Sequence, residues 1–226
     1  DYMGGFPDHP HRGFETVTYM LEGRMRHRDN TGREGIIGPG GIQWMRAGRG
    51  IVHSEMPEQS EGRMRGFQLW VNLPARLKMS APGYSEFESD AIPVEARDGG
   101  VLVKVISGVT EGGTAGPIGG GAVDALYFDV VLPAGTRFEE PVGADRNAMV
   151  AVYEGQVRVA GGKIDALSGV FLGAGDTVVV EAITDARVLL LAGRPIEEPV
   201  FWHGPFVMNS RDEIVQAFED FQSGKF

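Results

Sequence analysis

Short runs in which apolar and polar positions alternate, cut by glycine-rich turns, fill most of this chain, and that grammar predicts strands. Phe14, Thr16, Val17, Thr18 and Tyr19 form a β-branched and aromatic run over 13–21 that stops at the turn dipeptide Glu22-Gly23. A return strand follows over 24–28, then the turn Asp29-Asn30-Thr31-Gly32. Gly38-Pro39-Gly40-Gly41 precedes a strand at 42–45, and Gly48-Arg49-Gly50 delivers another at 51–55. Phe67, Leu69, Val71 and Leu73 alternate with Gln68, Trp70 and Asn72, which predicts a half-buried strand ended by Pro74. Residues 75–99 read as irregular, and 101–106 as a short strand.

The second half reuses this grammar. Strands are predicted at 126–132, 149–153, 177–180 and 188–192. Tyr153-Glu154-Gly155 lies 132 residues after Leu21-Glu22-Gly23, and the turn and strand beginning at Gly173 lie 135 after those beginning at Gly38. Two landmarks at nearly one offset predict a duplicated unit. The stretch 108–122 holds seven glycines and reads as the linker, so a first domain is expected over 1–107 and a second over 123–226. A helix is predicted at 211–223: Ser210 and Glu213 form a capping box, Ile214, Phe218 and Phe221 an apolar stripe, and Gly224 a stop. That stripe is expected to pack on its own barrel.

Composition narrows the class. Glycine at 34 of 226 residues, spread among short strands, points to an all-β sandwich or barrel. With 31 acidic and 21 basic side chains the formal charge is −10, and no clustered basic face argues for nucleic acid. No apolar run is long enough to span a membrane. Zero cysteines exclude thiolate chemistry and fit a reducing compartment, so a cytoplasmic location is expected. The first residues carry no signal-peptide pattern, and the chain does not begin with methionine, so an upstream segment is expected to be missing.

Chemistry concentrates at the start. Three of the five histidines fall in Asp8-His9-Pro10-His11 and His53-Ser54-Glu55. At strand spacing His9 and His11 share a face, as do His53 and Glu55. If the two strands are neighbours, three imidazoles and a carboxylate converge, a set suited to iron, manganese, nickel or zinc. Between Val123 and Pro199 there is no histidine, so the second domain should lack such a site. His27, in a polar alternating strand, is read as a surface residue, and His203 as a hydrogen-bonded structural one.

These motifs resemble a known family. Phe6 to Val17, Gln43 to Met45, Ala47 to Pro57, Gln68 to Leu73 and His203 to Asn209 are similar, in order, to the pirin family of two-barrel cupins. The resemblance implies two tandem cupin (double-stranded β-helix, or jelly-roll) barrels with a C-terminal helix. It implies one divalent metal, iron first, with manganese, nickel or zinc as alternatives, held by His9, His11, His53 and Glu55. Upstream strands of the first barrel are expected to be missing, because eight residues precede His9. Glu15 competes for the fourth ligand position, since many single-domain cupins use a glutamate four residues after the second histidine. The resemblance favours Glu55 and leaves Glu15 to orient a ligand imidazole.

The activity implied is that of bacterial relatives, opening of the flavonol ring of quercetin with dioxygen. Glu55 would take the 3-hydroxyl proton, ring opening would release carbon monoxide, and Arg12, Trp44 and Met45 would line the pocket. The alternative is a metal- and redox-dependent regulator that binds protein partners, as mammalian relatives assist transcription factors. A metal-free storage cupin is a third reading, which the clustered histidines disfavour.

Overall fold

The structure, a computed structural model, describes residues 4–59 and 61–226. It is almost entirely β, as the alternation predicts, and it divides into two compact units. The first comprises Asp1–Ser89 with Ile196–Phe226, and the second Asp90–Pro195.

The first unit begins with β1 (Phe6–His11), β2 (Phe14–Glu22), β3 (Met25–Asp29), β4 (Glu34–Ile37), β5 (Ile42–Arg46), β6 (Ile51–Pro57) and β7 (Arg65–Asn72). A one-turn helix α1 (Ala75–Lys78) and β8 (Gly83–Phe87) follow. They form two antiparallel sheets, ordered β1-β6-β3-β4 and β7-β2-β5-β8. Alternation puts Phe14, Met20, Met25 and Ile37 into the core.

The second unit contains β9 (Val94–Ala96), β10 (Leu102–Ser107), β11 (Leu126–Leu132), β12 (Arg137–Pro141), β13 (Asn147–Glu154), β14 (Gln156–Val159), β15 (Gly162–Asp165), β16 (Ser168–Phe171), β17 (Thr177–Ala182) and β18 (Ala186–Gly193). Its sheets are ordered β12-β17-β14-β15 and β16-β13-β18-β11-β10-β9. Strands β12 to β18 thus repeat the pairing of β1 to β7, which is the duplication predicted from Glu22-Gly23 and Glu154-Gly155. The second landmark is out of step. Thr177–Ala182 occupies the place of β6, whereas β5, which follows Gly38, corresponds to β16.

Register makes the comparison specific. His9 pairs with His53 and Asp29 with His53, while Phe138 and Val159 both pair with Val180. His53 therefore corresponds to Val180, His9 to Phe138, and Glu55 to Ala182. All three replacements are buried in one apolar core, so the second barrel is filled where the first is open.

The predicted boundary at 108–122 moves. Leu102–Ser107 pairs with β11 and so belongs to the second unit, and the glycine-rich stretch is a folded loop of that unit. Its Thr110 is buried and donates to Glu95. Composition misled because glycine marks tight turns as readily as linkers.

The chain then returns. Strands β19 (Phe201–His203) and β20 (Phe206–Met208) and helix α2 (Arg211–Gln222) pack within the first unit. Ser210 Oγ accepts from the Glu213 amide, as the capping box predicts. Ile214 and Ala217 bury against Phe206 and Met208, with Phe218 alongside, whereas Phe221, the third residue of the predicted stripe, is exposed, and the helix packs within the first unit rather than on the second barrel. Arg12 hydrogen-bonds Asp220 at 2.9 Å and lies over the Phe226 ring.

Candidate metal centre

Strands β1 and β6 are neighbours, and pairing His9 with His53 brings their side chains to one face. Ligand nitrogens of His9, His11 and His53 all lie within 4.8 Å of one another. His11 and His53 are almost fully buried, and His9 is partly exposed.

The surroundings set each ring. His9 Nδ1 lies 2.8 Å from the Pro7 carbonyl, and His11 Nδ1 3.4 Å from that of Pro205. Protons on those two Nδ1 atoms leave the Nε2 lone pairs free. The Nε2 atoms of His11 and His53 are buried with no hydrogen-bond partner among the described residues. An unpaired buried polar atom costs roughly 1–3 kcal/mol, so two side by side need an occupant. A divalent cation fits them, because imidazole nitrogen is a ligand for iron, nickel and zinc alike.

Electrostatics agree with that donor set. Burial, then the neighbouring His9, lowers the His11 pKa to about 4. Burial, then His9, His11 and His27, lowers that of His53 to about 2. Both rings are neutral at pH 7 and keep the lone pairs a metal requires.

Glu55 lies on the same strand as His53 and is buried beside the triad, but its carboxylate is engaged. Gln68 Nε2 donates to both oxygens, at 2.8 and 3.0 Å, and Thr18 Oγ1 donates at 3.4 Å. Burial raises its pKa, opposed by the Gln68 hydrogen bond. Glu55 lies outside the close group of three imidazoles.

Glu15 points elsewhere. Gly13, at φ +90°, interrupts the chain between β1 and β2 and resets the alternation that would have put residues 9, 11 and 15 on one face. Thr18 faces the site, and the buried Glu15 pairs with Arg46 at 2.6 Å. Its carboxylate is thus engaged by Arg46 and lies outside the group of three imidazoles.

A cavity of about 500 Å³ is lined by His9 and His11 of the triad and by Glu55. Met20, Met25, Met64 and Phe67 give it an apolar wall, and Gln68, Glu55 and Arg65 its polar groups. Trp70 stacks on Phe14 at 4.3 Å and meets the His11 ring edge-on. The expected lining residues are not part of it. Arg12 is tied to Asp220 and to the Arg49 carbonyl, and Met45 lies in the core with Ala47 and Ile51. Trp44, on β5, is not among the lining residues either.

Residues 1–71 match the Pirin family, and residues 127–226 match the Pirin C-terminal cupin domain. A pirin-like protein of Caulobacter vibrioides is 85% identical over 226 residues, covering 100% of this chain and 82% of the relative. The chain belongs to the pirin family. The crystal structure of a quercetin 2,3-dioxygenase from Acinetobacter baumannii superposes on this pirin with a TM-score of 0.93 at 34% identity, over 98% of this chain and 79% of that one. A bacterial pirin from Escherichia coli, solved in complex with nickel(II), has a TM-score of 0.69 at 25% identity, over 84% of this chain and 77% of that one. None of the helices of this pirin is long and apolar enough to cross a membrane among the described residues.

Two histidines of the pirin chain depart from expectation. His203 is exposed, with its ring edge toward Phe218. His27 is fully buried, stacked on Tyr84 at 4.6 Å, with Nδ1 3.4 Å from His53 Nδ1. Its neighbours Arg26 and Arg28 make the strand look polar, but Met25, His27 and Asp29 form the inward face. The signal was present, since His27-x-Asp29 has the spacing of His53-x-Glu55.

Proposed function

We propose that this pirin is a metal-dependent dioxygenase of flavonols such as quercetin. It would hold one divalent ion, iron in the first place, on His9, His11 and His53, with Glu55 as fourth ligand. The observation that carries this reading is the pair of unpartnered, buried Nε2 atoms in a three-imidazole cluster, two of whose rings, His9 and His11, line an apolar-walled cavity. The likeness to the Acinetobacter quercetin dioxygenase supports the reaction, and the nickel-bound Escherichia coli pirin supports a metal.

When bound, the metal would supply Lewis acidity and a redox partner for dioxygen. The protein's own residues do the rest. Glu55, its pKa raised by burial, accepts the flavonol 3-hydroxyl proton at a carboxylate oxygen. Gln68 Nε2 holds that carboxylate in place. Trp70, fixed on Phe14, offers a flat wall to a planar aromatic substrate, and the methionines exclude water. We place this activity in the cytoplasm, a reading supported by the zero cysteines of the sequence.

Elemental analysis followed by flavonol titration tests this. His53→Ala should abolish both metal content and turnover. Full quercetin turnover by metal-free protein would overturn the reading, and stoichiometric metal without any flavonol turnover would favour the regulatory, partner-binding alternative.

A further inference from the structure

A buried line of hydrogen bonds leads from His53 of the triad to Asp29 on β3. His53 Nδ1 lies 3.4 Å from His27 Nδ1, and His27 Nε2 lies 3.1 Å from Asp29 Oδ2. The other carboxylate oxygen, Asp29 Oδ1, accepts from the Thr31 amide at 2.8 Å, the Thr31 hydroxyl at 2.6 Å and the Arg33 amide at 3.2 Å. Those three bonds lock the carboxylate, and Tyr84 clamps the His27 ring between Asp29 and His53 by stacking at 27°.

The proton positions follow from which atoms can donate. An ionised carboxylate only accepts, so the proton on His27 sits on Nε2. The His27 Nδ1 lone pair then accepts, and the proton on His53 sits on Nδ1. This leaves the His53 Nε2 lone pair facing the site, where it has no other partner. A ligand histidine usually rests on a carboxylate or a carbonyl. Here a second imidazole stands between.

The second barrel supplies an internal control. By register, His27 corresponds to Val157 and Asp29 to Val159. The copy that has lost His9, His53 and Glu55 has therefore also lost His27 and Asp29, all to buried apolar side chains. A histidine kept only to fill the sheet would not need to disappear with the triad.

We infer that His27, held by Asp29, is a positioning residue that fixes the tautomer and orientation of His53 for the metal. This rests on reading His9, His11 and His53 as the metal site. It goes beyond that reading by assigning the device that makes His53 a ligand.

Titration of metal-free protein with Co(II), read as a dissociation constant and as the visible d–d spectrum, tests it. His27→Leu should weaken Co(II) by about 10–100-fold and shift the bands. His27→Gln should recover most of the affinity and the wild-type bands, because its amide oxygen can accept from His53 while its NH₂ donates to Asp29. Wild-type affinity and spectrum in the Leu variant, or equal losses in both variants while folded, overturn the inference. If the Leu variant does not fold, nitrogen-15 NMR of wild-type imidazoles decides. Protons on His53 Nδ1 and His27 Nε2 support the relay, and the opposite tautomers overturn it. No Co(II) uptake by the wild type, or undiminished uptake by His53→Ala, removes the metal-site reading itself and the relay with it.

Discussion

Gly13 is the residue on which the geometry of the first barrel turns, and Gly13→Ala gives the sharpest test of that geometry. A Cβ there would lie 2.0 Å from the Val207 carbonyl oxygen, whereas real side chains stay beyond 3.0 Å, so the backbone must part by about 1 Å. Within reach of that shift are the Val207 amide to Arg12 carbonyl bond at 3.1 Å and the Lys78 ammonium to Val207 carbonyl bond at 2.8 Å. A neutral hydrogen bond contributes about 1 kcal/mol and one to a charged group about 2 kcal/mol. The φ of +90° adds about 1–2 kcal/mol for any residue with a Cβ. The expected loss is about 4 kcal/mol, or upwards of about 10 °C in the thermal transition of the first unit. Gly32→Ala is the control: φ is +85°, but nothing lies within 4 Å of the added Cβ. It should cost only the backbone part, about 1–2 kcal/mol. Urea titrations of both variants, followed by tryptophan fluorescence, measure the difference. Equal losses would refute the close approach of the C-terminal strand to Gly13.

Lys78 is buried and donates to the Gly13 and Val207 carbonyls and to Asn72 at 2.7–2.9 Å. Lys78→Met should cost about 2–4 kcal/mol by stranding two buried carbonyls, and a urea midpoint equal to wild type would contradict this. Hydrogen bonds from Lys225 and then Arg12 lower the Asp220 pKa to about 2. A depressed carboxyl stabilises the fold above its unfolded pKa near 4 and loses that contribution as pH falls through its folded value. The difference in thermal midpoint between wild type and Asp220→Asn should therefore be present at pH 6 and close between pH 4 and pH 2. A gap constant over that range would count against the Arg12 pairing. Glu15→Gln should leave metal stoichiometry unchanged, because that carboxylate pairs with Arg46 away from the triad; loss of metal on elemental analysis would restore Glu15 as a ligand.

Much of this was legible in the residues. Strand alternation and turn dipeptides located most of the barrel strands, and His-x-His with His-x-Glu located the triad, because side-chain parity within one strand is fixed by covalent geometry. Parity does not survive a break, which is why Glu15 could be weighed against Glu55 until the bend at Gly13 separated them. His27 was misread for a related reason. The polarity of its neighbours describes one face of β3, while its burial depends on the other sheet, whose Tyr84 on β8 stacks on the His27 ring. The boundary between units and the return of residues 196–226 to the first depend on long-range pairing, which leaves no local mark.

That return has a consequence for any shortened chain. The carbonyl that faces His11 belongs to Pro205, and the acid that holds Arg12 belongs to Asp220. Without those residues the His11 ring would keep its edge contacts with Phe14 and Trp70 but lose the acceptor at Nδ1, and Arg12 would lose its carboxylate partner. On the metal reading proposed above, a chain cut before Pro205 should therefore hold a divalent ion less firmly than one that carries residues 205–220.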